Sequence, residues 1–271
     1  MPGPMESCGR VPLLKRIRLL AVAVAWLMLA DGLASAQGLA VAAASDLQTA
    51  LPALAAQFEK DTGQRMRLTF GSSGNFFAQI QNGAPFDLFL SADIEYPKRL
   101  EDSGHADRGS LYQYATGHIV LWTRTDSGID LKRGLAVLAD ARVRRIALAN
   151  PEHAPYGRAA VAALRHEQLY DRVRGNFVLG ENISQAAQFA ESGSADAGIL
   201  ALSIALSPAL EAAGGYADIP ASWYPPIAQA AVVVASSRQK ALARQFIAFL
   251  KTPDGIRILQ SYGFGAPHPT R

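Results

Sequence analysis

Short runs rich in Val, Ile, Leu, Ala and Phe alternate along the chain with stretches whose apolar residues recur at helical spacing. Segments 39–44, 66–70, 87–92, 119–123, 146–149, 177–179, 197–202 and 230–235 read as strands. Several are apolar on both faces, as strands buried inside a parallel sheet are. Leu47, Leu51, Leu54, Ala55 and Phe58 fall on one helical face, and Gly63 follows where that helix would stop. Pro52 lies within the stretch, so the regular helix is expected to start late or to kink. Towards the C-terminus Ala243, Phe246, Ile247 and Leu250 form another stripe. Pro253 then opens a helix carrying Ile256, Ile258, Leu259 and Tyr262, with Gly263 as its stop. The alternation predicts an α/β fold with mainly parallel sheets flanked by helices. No repeat, low-complexity segment or Gly/Ser linker divides the chain, so two lobes would have to exchange the chain within this pattern.

Residues 1–36 stand apart. Arg10, Lys15, Arg16 and Arg18 precede an unbroken apolar run over 19–30, and Ala34-Ser35-Ala36 supplies the small residues of a cleavage site. This reads as a secretory signal cleaved after Ala36. The run is short for a membrane span. Cys8 precedes it rather than following it, which speaks against lipid attachment. The signal also holds four of the 26 basic and two of the 23 acidic residues, leaving 22 against 21 and a net charge of +1. The exported chain then carries no cysteine, so no disulfide can hold it and an ordinary core must. With 49% apolar and 18% charged residues it is not a disordered chain. A nearly neutral chain exerts little pull on a polyanion, so no nucleic-acid partner is expected.

Four junctions between strand and helix patterns carry the candidate chemistry. They are Ala43-Ala44-Ser45-Asp46, Phe70-Gly71-Ser72-Ser73-Gly74-Asn75, Asn150 to Gly157, and Gly180-Glu181-Asn182-Ile183-Ser184. In open α/β sheets ligands bind beyond the carboxyl ends of strands, where helices begin. A helix start presents unpaired N–H groups and a positive dipole end, which suits an anion. Ser45 and Ser73 would add hydroxyl donors, and Tyr156 and Ile183 early main-chain N–H groups. No Lys or Arg lies in any of the four segments. Neutral donors of this kind fit a small, fully deprotonated oxyanion. Taken singly, each Ser is an ordinary helix cap and the Pro-containing segment an ordinary turn.

At these residues the chain resembles the periplasmic molybdate-binding proteins of ABC importers. The likeness runs through the A-A-A-S start, F-G-S-S-G-N-F-F-A-Q-I at 70–80, G-A-P-F-D-L-F-L-S-A-D at 83–93, N-P-E-H-A-P-Y-G at 150–157, G-E-N-I at 180–183 and Y-G-F at 262–264. It implies a two-lobed type II periplasmic-binding-protein fold with the ligand in the interlobe cleft. The implied lobes are 37–117 with 228–271, and 118–227. Ser45 and Ser73 match two serine ligands, and Tyr156 and Ile183 match main-chain donors, so Tyr156→Phe would then be nearly silent. Many members place a tyrosine hydroxyl where this chain has Ala201, and some use the residue after the first serine, here Asp46. A carboxylate facing a dianion would repel it, so Asp46 is expected to turn away and favour the helix start. The rival reading has Asp46 accept a proton from a protonated oxyanion such as hydrogen phosphate. The resemblance implies capture of molybdate or tungstate and delivery to inner-membrane permease subunits. It implies a periplasmic monomer with no catalytic residue and no cofactor, molybdenum entering only as the oxyanion.

Other classes are thinly supported. A second reading is a binder of phosphate or sulfate. A secreted serine hydrolase would need a base for Ser73, but Gly71-Ser72-Ser73-Gly74 lacks the G-x-S-x-G spacing. His153 is the nearest candidate, and no H-x-x-x-H pair is present for a metal. An adhesion module would show repeats or aromatic patches. The one aromatic-proline cluster, Trp223-Tyr224-Pro225-Pro226, falls where a return crossover between lobes is expected.

Overall fold

In chain order the elements are Leu39–Ala44 (β1), Ala50–Thr62 (α1), Met66–Gly71 (β2), Ser73–Gln81 (α2), Leu88–Ser91 (β3), Glu95–Asp102 (α3), Tyr112–Gly117 (β4), Ile119–Arg124 (β5) and Ile146–Ala149 (β6). Pro155–His166 (α4), Tyr170–Val173 (α5), Phe177–Gly180 (β7), Ile183–Glu191 (α6), Ala197–Ala201 (β8), Leu202–Ala205 (α7), Pro208–Ala213 (α8), Gly214–Asp218 (β9), Ile227–Val233 (β10), Lys240–Leu250 (α9) and Pro253–Ser261 (α10) complete it. This computed structural model describes residues 38–267. The predicted signal with Cys8 and the cleavage site after Ala36 lies outside the described residues.

β1 is buried along its whole length because both of its faces are covered. It pairs in parallel with β2 and with β3, and the first sheet has the order β2-β1-β3-β10-β4. The second sheet has the order β7-β6-β8-β5-β9, with β6 parallel to β7 and β8. In each sheet one strand runs against the other four: β10 is antiparallel to β3 and β4, and β5 antiparallel to β8 and β9. The reason is connectivity. β5 and β10 are the strands on which the chain arrives from the other sheet, and each enters from the opposite end. β4 passes into β5 across His118 alone, and the return runs through Tyr224-Pro225-Pro226 into β10. The two crossings touch, since the Ile119 N–H donates to the Tyr224 hydroxyl at 3.3 Å. The aromatic-proline cluster therefore sits at the second crossing.

Burial follows the predicted stripes. Phe58 of α1 meets Phe246 of α9 edge-on at 5.2 Å over one face of the first sheet, with Leu51, Leu54, Ala243 and Leu250 around them. Phe76, Phe77 and Leu100 fill the other face. Trp122, Leu148 and Leu164 anchor the second core. The regular helix starts late, at Ala50, with Leu47 left in the preceding 3₁₀ turn, and Pro52 causes no kink. It falls in the first turn of α1, where its missing N–H would have had no intrahelical partner. Gly63 ends that helix at φ 70°, its N–H donating to the Glu59 carbonyl.

Candidate functional site

The four junctions meet in one small cavity of about 10 Å³. Ser45, Asp46, Ser72 and Ser73 line it from the first sheet, and Pro155, Tyr156, Asn182 and Ile183 from the second. Each side is built by strands handing over to helical turns at their carboxyl ends. Ser45 opens a 3₁₀ turn after β1, Ser73 is the first residue of α2, Tyr156 the second of α4 and Ile183 the first of α6. Their N–H groups stand at positions with no intrahelical acceptor. Pro155 has no N–H, so Tyr156 carries the leading donor of α4. The Asn182 side chain caps the Ser184 and Gln185 N–H groups at 3.0 and 3.1 Å and leaves that of Ile183 to the cavity.

The serine hydroxyls are placed differently. Ser73 Oγ accepts from the Ala92 N–H at 3.0 Å, so its hydrogen remains available to donate. Ser45 is buried at the cavity wall. Gly74 permits the tight join of α2 to the third junction. A Cβ there would sit 2.7 Å from the His153 carbonyl oxygen, which instead accepts from the Gly74 N–H at 3.0 Å and the Ser72 hydroxyl at 2.6 Å. The His153 ring lies 3.1 Å from the Glu181 carbonyl. Ser73 is thus paired with main chain and His153 with Glu181, which is not the arrangement of a nucleophile and its base.

Among the described residues Asp46 is the one charged residue lining the cavity, and it does not behave as an acid merely favouring a helix start. It occupies the first turn of the 3₁₀ segment, but its carboxyl group is fully buried and engaged. Oδ2 accepts from the Tyr156 hydroxyl at 2.9 Å and from Gln229 Nε2 at 2.5 Å. Gln229 Nε2 also reaches the Tyr156 oxygen at 3.0 Å, and Tyr114 donates to Gln229 Oε1 at 2.7 Å. Among the described residues Oδ1 has no hydrogen-bond partner. Burial pushes the Asp46 carboxyl up from 3.8 to about 6, only partly offset by the bonds from Gln229 and Tyr156 and a weaker pull from its own main-chain N–H. Burial and the neighbouring carboxylate hold the Tyr156 and Tyr114 phenols well above their usual range, so both stay protonated donors. The Tyr156 phenol is therefore engaged by Asp46 and Gln229. Gln229 and Tyr114 lie inside strands and carry no motif that marks them as part of the site. Ala201, buried at the end of β8, is not among the lining residues.

Further bonds join the two sides. The Ser184 hydroxyl lies 3.0 Å from the Ser45 carbonyl and 2.7 Å from Gln48 Oε1. Ser203 donates to the Asp46 carbonyl at 2.8 Å, and Arg158 of α4 pairs with Asp93 beyond β3. The arrangement is closed around the cavity.

Residues 39–265 match the family of bacterial extracellular solute-binding proteins. The molybdate-binding protein of Azotobacter vinelandii is 37% identical over 232 residues, covering 86% of this chain and 91% of that protein. That of Rhodobacter capsulatus is 36% identical, covering 87% and 94%. A solved structure of the Azotobacter vinelandii periplasmic molybdate-binding protein superposes with a TM-score of 0.80 at 38% identity, covering 85% of this chain and all of the other.

Proposed function

The chain belongs to the bacterial extracellular solute-binding proteins, and from that premise we propose that it captures molybdate, and tungstate with it, in the periplasm and delivers it to the permease of an ABC importer. The observation that carries this reading is the convergence of four helical starts and two serines on one buried cavity without a lysine or arginine. Uncharged donors fixed by the backbone hold a fully deprotonated tetrahedral anion without drawing in every anion by net charge. The protein atoms bind the oxygens, and none coordinates the metal. In this reading residues 37–117 with 228–271 form one lobe and 118–227 the other. The anion draws the lobes together because only the closed form presents donors from both. The protein acts as a monomer, without a cofactor and without turnover, after a leader cleaved at Ala36.

A thermal-shift series with molybdate, tungstate, sulfate, phosphate and chromate tests the reading. Molybdate and tungstate are expected to raise the melting temperature, because a ligand bound only by the native state stabilises it. A rise with phosphate or sulfate alone overturns the assignment in favour of another oxyanion. Hydrolysis of simple esters abolished by Ser73→Ala would overturn it in favour of an enzyme.

A further inference from the structure

We propose that Asp46 is a proton-coupled ligand donor: when a dianion occupies the closed cavity, its carboxyl group takes one proton from solvent onto Oδ1 and donates that hydrogen to the oxyanion. The inference rests on the proposed function and specifies the chemistry of the same site.

The two carboxyl oxygens of Asp46 have different surroundings. Oδ2 already accepts two hydrogen bonds, from Tyr156 and from Gln229. Both donors are committed in that direction, because Gln229 Oε1 is taken by Tyr114 and the Tyr156 oxygen by Gln229. A proton added to Asp46 therefore belongs on Oδ1, the buried oxygen without a partner. Left ionised, Oδ1 would be an unpaired buried charge in a cavity that must also admit two further negative charges. The groups facing Asp46 supply no compensation. α4 offers the Tyr156 phenol, β10 the Gln229 amide and β4 the Tyr114 phenol, while α7 offers the Ser203 hydroxyl, which binds the Asp46 carbonyl. None is a cation. Burial, working against those hydrogen bonds, already moves the carboxyl to about 6, and a dianion in the same cavity moves it higher. Once protonated, the group is neutral and becomes a further O–H donor on Asp46, a residue that lines the cavity. The ligand remains fully deprotonated, and the balance is one proton gained by the protein per anion bound.

The test is titration calorimetry with molybdate at pH 7.5 in two buffers of different ionisation heat, repeated from pH 6.5 to 8.5. The wild-type protein is expected to take up close to one proton per anion. Its affinity should fall about tenfold per pH unit in the upper part of the range, the slope that linkage requires for one proton. Asp46→Asn, which replaces the O–H by an N–H donor, should bind with no proton uptake and an affinity flat in pH. Binding by the wild-type protein without proton uptake overturns the inference, as does uptake that survives in Asp46→Asn. The wild-type proton count decides by itself if the variant does not fold. Absence of binding heat with every oxyanion would instead bring down the functional reading, and this inference with it.

Discussion

Ser45 and Ser73 occupy matching places at two junctions, yet their side chains have different duties. Ser73 supports the Ala92 main chain as well as facing the cavity. Ser73→Ala should cost roughly 1–3 kcal/mol in both ligand affinity and stability, since it strands a buried N–H, whereas Ser45→Ala should weaken the ligand alone. Calorimetry paired with urea unfolding separates the two. Asp46 gives a second prediction, in pH. Its folded value of about 6 lies above the 3.8 of an ordinary aspartate, so between these values the folded protein holds the proton more tightly. Stability is therefore lost as pH rises from about 4 to 6, on the order of 3 kcal/mol at this residue. Asp46→Asn should be more stable than wild type at pH 7.5 and gain little at pH 4, as unfolding curves at the two pH values will report. Ser45, Ser73, Tyr156 and Ile183 were legible because each stands directly before or within the start of a helical pattern. Gln229 was not. A single glutamine inside an apolar strand carries no periodic mark, and its partners Asp46, Tyr156 and Tyr114 lie 183, 73 and 115 residues away in sequence.

The elements that read most clearly were those apolar on both faces, such as β1 and β6, which are buried throughout. β4 and β9 escaped notice for a physical reason. β4 carries Gln113, Thr116 and Gly117, and β9 opens on two glycines and is only half covered. Edge strands need less apolar surface, so their patterns are weak. β10 begins at Ile227 rather than 230 because Gln229, which interrupts the apolar run, is fully buried by its bonds to Asp46 and Tyr156. Among helices, α6 depends on Asn182, whose side chain satisfies two of its first N–H groups. Asn182→Ala should cost about 1 kcal/mol of stability. It should also weaken ligand binding, because fraying at that end displaces the Ile183 donor. Denaturant melts and titrations on one preparation would show both losses. α4 sits against β6 so closely that a Cβ at Gly157 would overlap the Ala149 carbonyl oxygen, which fixes where Tyr156 enters the cavity.

At the level of the whole molecule, closure is held by bonds that need not touch a ligand. Ser184 reaches from α6 to the Ser45 carbonyl and Gln48. Ser184→Ala should leave association nearly unchanged and speed dissociation several-fold, as expected for a lost hydrogen bond of about 1 kcal/mol in the closed form. Stopped-flow mixing and chase would separate the two rates. The strand order has a further consequence, for how the protein is made. β10 lies between β3 and β4, and β4 has no other partner strand in its sheet. β4 ends at Gly117, and the strand that secures it begins only at Ile227, whereas the whole second sheet falls within 119–218. On a ribosome the second sheet is complete while the first still waits for its inner strand. In a chain exported as proposed, β4 thus waits without a partner strand until β10 has been synthesised, although β1, β2 and β3 can pair before it.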